Sequence, residues 1–159
     1  MPLRETAMPN IPPEGPALLA ARLQFYGASC SILDLNSYRI KDEATPKEGP
    51  SGGRYLTPEE VALYLTAHVT KFGTPDIVAF SGIITTLGWQ EIVAKIVRKA
   101  LPDCFLVSGN GLATEIKVGL FNWIPELDAI ARSEGDDIIL TIAHDVKLIH
   151  ELGIDKAIK

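Results

Sequence analysis

Three times in this chain an apolar, β-branched stretch stops at small or hydroxylated residues and gives way to helical periodicity. The handovers are Ser81-Gly-Ile-Ile-Thr-Thr86, Ser108-Gly-Asn-Gly111 and Arg132-Ser-Glu-Gly-Asp136. No other feature constrains the fold as much. Apolar runs that alternate with helical stripes belong to an α/β protein built on a parallel sheet. In such sheets ligands gather beyond the carboxyl ends of the strands. The residues that end the strands are therefore the first candidates for a site.

The elements can be read in order. Residues 16–26 are expected to be helical: Pro16 suits a first turn, Leu18, Leu19, Leu23 and Tyr26 recur at helical spacing, and Gly27 ends the run. A strand is expected over 28–35. A loop rich in Gly, Pro and Ser follows over 37–56, long enough to be functional or disordered. Thr57-Pro-Glu-Glu60 combines a threonine cap, a first-turn proline and a capping-box glutamate, so a helix should run to Phe72 and stop at Gly73. The clearest buried strand is 76–83. A helix over 87–100 carries Trp89, Ile92, Val93, Ile96 and Val97 on its apolar side. Strands at 104–107 and 127–131, a short helix at 112–122, a helix at 136–152 and a short strand at 154–158 complete the reading.

One element is wanting. A doubly wound sheet of this kind starts with a central strand before its first helix, yet only polar, proline-containing residues precede Ile11. The first strand is therefore expected to be missing or truncated. Residues 153–159 are where a linker to a further domain would start.

A length of 159 residues fits one domain, 1–159, able to bury its own core. The formal charge of −5 argues against a general nucleic-acid binder. No run is apolar enough to span a membrane and the first ten residues lack a signal-peptide core, so the expectation is a cytoplasmic protein. Cys30 and Cys104 lie in apolar, strand-like contexts and are expected to be buried free thiols. Two cysteines cannot supply an iron–sulfur site that needs three thiolates.

The candidate binding residues follow from the strand ends: Ser81, Gly82, Ile84, Thr85 and Thr86; Ser108, Gly109, Asn110 and Gly111; Glu134 and Gly135. Together they would form a rim of backbone amides, hydroxyls and helix starts. Such a rim suits a flat macrocycle with a nucleotide tail. Taken singly, Ser81-Gly82 and Ser108-Gly109 are equally simple turn chemistry. The acid pairs Glu59-Glu60 and Asp136-Asp137 stand at helix starts, where the helix dipole explains them. No catalytic set emerges, and Gly109-Asn-Gly111 is too short a signal for a dinucleotide site.

The opening run Ile11-Pro-Pro-Glu-Gly-Pro-Ala-Leu-Leu-Ala-Ala-Arg-Leu23, then Asp34-Leu-Asn36 and the three turns, resembles the cobalamin-binding domain at the N-terminus of cobalamin-dependent radical S-adenosylmethionine (SAM) enzymes. The resemblance spans 11–152. Pro12, Pro13, Gly15, Leu19, Ala20, Ala21 and Leu23 match its opening motif, whereas Pro16 stands where leucine is usual. Ser81, Ile84, Thr85 and Thr86 match the loop beneath the corrin, and Gly109 one glycine of a pair. Ala113 and Thr114 match the following helix start. Glu134, Gly135 and Asp136 match the last motif, with Ser133 in place of a glycine.

The resemblance implies a Rossmann-like (flavodoxin-like) doubly wound fold that binds cobalamin, with Pro13 and Gly15 added to the site. It also implies a partner: a radical SAM barrel, in the same or a neighbouring chain, that carries SAM and a 4Fe–4S cluster. Methyl transfer is the commonest outcome, so this chain would be the cofactor domain of a methyltransferase and not catalytic alone. Another cobalamin-domain class places a histidine on cobalt through Asp-x-His-x-x-Gly. His68, His144 and His150 do not fit that pattern, so cobalt is expected to have no histidine ligand. The alternatives are a stand-alone corrinoid carrier and a flavodoxin-like or receiver-like regulatory module.

Overall fold

The computed structural model describes residues 13–36, 40, 42–43, 53–132 and 135–152. Over these the chain is mixed α/β. Helix α1 (Glu14–Phe25) is followed by α2 (Pro58–Phe72), strand β1 (Ile77–Ser81), a 3-10 turn (Ile84–Thr86) and α3 (Leu87–Ala100). Then come β2 (Phe105–Gly109), α4 (Asn110–Ile116), a second 3-10 turn (Lys117–Gly119), α5 (Leu120–Trp123), β3 (Ala129–Ile130) and α6 (Gly135–Leu152). The three strands form one parallel sheet in the order β1-β2-β3. Ser81 stands opposite Gly109 and Ser108 opposite Ile130, so all three strands end at one level.

Side-chain alternation along β2 sorts the helices into two layers. Leu106 and Ser108 face one way and Val107 the other. Leu106 joins a cluster with Val61 and Leu65 of α2, Val93, Ala94 and Val97 of α3, and Leu112, Leu120 and Ile124. Ser108 meets Gln90 of α3 on the same face. Val107, Ala20 of α1, and Ile139 and Val146 of α6 are buried outside that cluster. Helices α2 and α3 pack together, as do α1 and α6. Every handover from strand to helix therefore lies at the carboxyl edge of the sheet.

The helix over 87–100 stands as expected, and the helix from Pro58 to Phe72 begins on the Thr57 capping box. Several expectations need correction. The first helix starts at Glu14, with Pro13 rather than Pro16 at its entrance. Residues 28–34 form neither helix nor ladder among the described residues, and Leu35 belongs to a turn. Their backbone is served locally: Gln24 donates to the Cys30 carbonyl (3.1 Å), and Asp34 accepts from the Asn36 amide (3.0 Å). The strand expected over 76–83 is confined to Ile77–Ser81, and it is half-exposed because it borders the sheet. Buried instead is its neighbour β2, which extends to Gly109 rather than stopping at 107. The strand expected over 127–131 shrinks to Ala129–Ile130.

The helix expected over 112–122 is two short helices. Lys117, at φ +56°, breaks the first, and the 3-10 turn through Gly119 separates it from the second. Of the loop 37–56, the described part holds one antiparallel bridge, Ile40 with Arg54. The strand expected over 154–158 lies outside the described residues. Among the described residues no helix is long and apolar enough to cross a membrane.

Candidate functional site

The first two turns are joined into one surface. Asn110 reaches across from β2 and donates from Nδ2 to Ser81 Oγ (3.2 Å). The Leu112 amide donates to the Gly82 carbonyl (3.1 Å). Asn110 holds φ +69°, a left-handed conformation that asparagine tolerates better than most residues, and its Oδ1 accepts from the Gly111 amide (2.7 Å). The Thr86 hydroxyl closes the other turn, donating to the Ile83 carbonyl (2.8 Å) and accepting from the Ile83 amide (3.2 Å). Thr86 is thus committed to its own turn, while Thr85 stands exposed.

Two bulky apolar side chains crown this surface. Ile83 is 46% and Ile84 51% exposed. Placed beside Gly82, Asn110 and Gly111, they give an apolar step flanked by amides and hydroxyls. Gly111 keeps close company with Ile83: a Cβ there would lie 3.9 Å from Ile83 Cγ2. At Gly109 a Cβ would make only ordinary contact with Ala131, at 3.6 Å. The backbone at Gly109 and Gly111 is consequently open to close approach from outside.

Behind the rim lies a buried polar group. Gln90 is 7% exposed, and its Oε1 accepts from Ser108 Oγ (3.1 Å). Its Nε2 has no hydrogen-bond partner among the described residues. That nitrogen sits against Gly82, where a Cβ would fall 1.9 Å from it and 2.7 Å from Thr86 Oγ1. Gly82 is thus a glycine because the Gln90 amide fills the space of a side chain.

The third turn joins through β3. The Ala131 amide donates to the Ser108 carbonyl (2.8 Å) and continues the rim beyond Gly109. Beside it opens a hollow of about 580 Å3 lined by Thr114, Lys117, Ile130, Ala131, Arg132 and Ile138. Gly135 faces α1: a Cβ there would lie 3.1 Å from Leu19 Cδ2. Arg22 binds the same helix start, donating to the Asp136 carbonyl (3.0 Å) and pairing with Asp137 (2.7 Å). These contacts lay α1 beside the start of α6. Pro13 and Gly15 lie N-terminal to them on α1, with open space around Gly15. Among the described residues no hydrogen bond joins Pro13 or Gly15 to the two joined turns. Glu134 lies outside the described residues.

The two cysteines, His68 and His144 stand apart from the rim. Cys104 is buried, and burial pushes its thiol up to about 11 against the pull of Arg98. Cys30, expected to be buried, is only half-buried, and burial raises its thiol to a lesser degree. His68 lies in the last turns of α2, which leads to the opposite end of the sheet. It hydrogen-bonds Ser31 Oγ (2.8 Å), and burial with nearby Lys71 lowers its pKa. His144 lies exposed beside Asp145 (3.3 Å). Among the described residues no group of three or more His, Cys, Asp and Glu side chains is gathered to hold a metal.

Comparison with known proteins finds no matching family model, no matching curated protein and no matching solved structure. The site therefore stands on its own geometry. That geometry adds Ile83, Gln90, Lys117 and Arg132 to the residues singled out from the sequence. A signal existed for Gln90: with Val93, Ala94 and Val97 it falls on the buried stripe of α3, where a polar residue needs a reason. None existed for Lys117; Arg132 opens the third handover, but nothing in the sequence places it in one hollow with Lys117.

Proposed function

We propose that this chain is a Rossmann-like, doubly wound domain that binds cobalamin at the carboxyl edge of its sheet. The reading is carried by one observation: the Ser81 and Asn110 turns are hydrogen-bonded into a single surface bearing exposed Ile83 and Ile84 beside open glycine backbone. A corrin offers a broad apolar face fringed with amide groups. An apolar step ringed by hydroxyls, carboxamides and free backbone is the complement of that ligand. Strand-end placement agrees with the rule for open parallel sheets.

The residues present fit the group. Ile83 and Ile84 would meet the ring, Gly109 and Gly111 would admit it closely, and Ser81, Thr85 and Asn110 would meet its amides. Cobalamin, when bound, supplies a cobalt centre able to carry a methyl group. The protein's own part is to hold, orient and shield. His68 and His144 lie off the rim, which supports a cobalt without a histidine ligand. The methyltransferase setting, with a radical SAM barrel as partner, rests on the sequence resemblance alone and forms the outer part of the proposal.

Titration of the 159-residue chain with hydroxocobalamin, followed by absorbance, tests the core of this reading. Saturable binding is expected, with no histidine-derived nitrogen splitting in the paramagnetic resonance spectrum of the Co(II) form. Gly109→Leu should weaken binding at least tenfold in a folded protein, because the fold leaves room at Gly109 and only the ligand would be obstructed. Absence of binding by the wild-type chain refutes the proposal, and a nitrogen splitting refutes its coordination.

A further inference from the structure

We propose that the hollow between α4, the end of β3 and α6 is a phosphate site, in which Lys117 and Arg132 supply the charge and Thr114 a hydroxyl. The argument begins with what lines it. Thr114, Lys117 and Arg132 are its polar residues, and Ile130, Ala131 and Ile138 its apolar ones. Both cations are exposed, and neither has a salt bridge or a side-chain hydrogen bond among the described residues. This sets them apart from Arg22, Arg54, Lys95 and Arg98, each of which is paired with a carboxylate.

An isolated surface cation needs no explanation. Two unpaired cations sharing the wall of one concavity repel each other, and that repulsion is relieved by an anion between them. No carboxylate is among the described lining residues. The adjoining first turn of α6 carries Asp136 and Asp137, of which Asp137 is engaged by Arg22 (2.7 Å). Helix α6, 18 residues long, starts beside the hollow, and its N-terminal dipole adds to the same field. The fork of an arginine and the compact charge of a lysine are the usual pair for phosphate oxygens. The Thr114 hydroxyl, which donates to the Asn110 carbonyl (3.2 Å), would turn from that bond to donate one further hydrogen bond to the anion. The apolar floor of Ile130, Ala131 and Ile138 suits a phosphate borne on an organic group.

Ala131 belongs both to this hollow and to the rim, through its bond to Ser108 and its closeness to Gly109. A ligand on the rim can therefore send a phosphate into the hollow. The phosphate site does not depend on the cobalamin reading. Where that reading holds, the natural occupant is the phosphodiester of the nucleotide tail; otherwise it is a small phosphomonoester or free phosphate.

The test uses the whole chain and the variants Lys117→Gln, Arg132→Gln and their double, which change exposed side chains and should leave the circular dichroism spectrum unchanged. Inorganic phosphate titrated into 15N-labelled protein should shift the amides of Thr114, Lys117 and Arg132, with affinity at least tenfold weaker in the double variant. Lys99→Gln, a change at the far end of α3, should have no effect. Shifts elsewhere, or equal affinity in the double variant, overturn the site. Cobalamin and cobinamide, which lacks the nucleotide tail and its phosphate, then identify the source. A wild-type preference for cobalamin that disappears in the double variant supports the tail phosphate. Phosphate shifts that persist without such a preference support a free or phosphomonoester ligand. Failure of the wild-type chain to bind cobalamin removes that ligand alone, because the phosphate titration judges the site separately.

Discussion

At the scale of single residues, the arrangement of Gly82, Gln90 and Ser108 shows how the rim is fixed from behind. The Gln90 carboxamide occupies the volume that a side chain at residue 82 would need, and the Ser108 hydroxyl anchors it. Gly82→Ala must push a buried amide off its anchor, which should cost about 1–3 kcal/mol, the usual range for overpacking. In a Gln90→Ala background the main obstacle is gone and only Thr86 Oγ1 remains close. The same substitution should then cost less by about 1 kcal/mol or more, since the two residues are in direct contact. Urea unfolding of the four proteins measures this coupling, and additive effects would show that Gln90 does not dictate the glycine. The orphaned Gln90 Nε2 agrees with this picture: a buried donor left unpaired is destabilising, and it persists where something else is gained.

At the scale of elements, what was legible depended on how local the determinants are. Helix α2 was readable because its start is written in consecutive residues. Thr57 Oγ1 accepts from the Glu60 amide (3.3 Å), and Glu60 returns a bond to the Thr57 amide (2.8 Å). What the local pattern did not reveal is Arg54, which pairs with both Glu60 and Asp42 and ties the helix start to the preceding loop. That pairing, with the Thr57 bond, holds the Glu60 carboxyl at about 2 instead of its ordinary 4.5. A carboxyl depressed in the folded state stabilises the protein above its unfolded value and loses that contribution as pH falls toward the folded one. The urea midpoint of the wild type should therefore fall between pH 4.5 and pH 2 more steeply than that of Glu60→Gln. Parallel slopes in that window would dissociate Glu60 from acid unfolding. The segment 28–35 escaped a correct reading for the opposite reason. Its composition favours a strand, but a strand exists only beside a partner, and no partner pairs with it among the described residues. The split of the expected 112–122 helix likewise turns on the backbone of one residue, Lys117, whose left-handed φ no helical pattern announces.

At the scale of the molecule, β2 is the axis about which everything else is arranged. Its Leu106 and Ser108 serve one layer of helices and Val107 the other, and all three are at most 2% exposed. Strand β1, with the same length and a similar apolar composition, is nowhere fully buried. The sequence makes β1 look the clearest buried strand because Ile-Val-Ala-Phe is a clean apolar run; burial is decided by neighbours, and among the described residues β2 is the strand with one on each side. This asymmetry carries over to function. The rim residues on β2, Ser108 and Gly109, are mounted on the most protected element, whereas Ser81 and the exposed isoleucines belong to the border strand and its turn, which the Asn110 and Leu112 bonds tie to the start of α4. Opening free energies follow burial and contact density, so native-state amide exchange should be graded across the sheet. Leu106 and Val107 should exchange near the rate set by global unfolding, and Val78 and Ala79 faster. Asn110→Ala removes the bridge from β2 to Ser81 and should speed exchange in the 81–86 turn while leaving Leu106 and Val107 in their protected class. Uniform protection across β1 and β2 would mean that the border strand is held by more than β2, and the hinge-like dependence of the rim on Asn110 would fall with it.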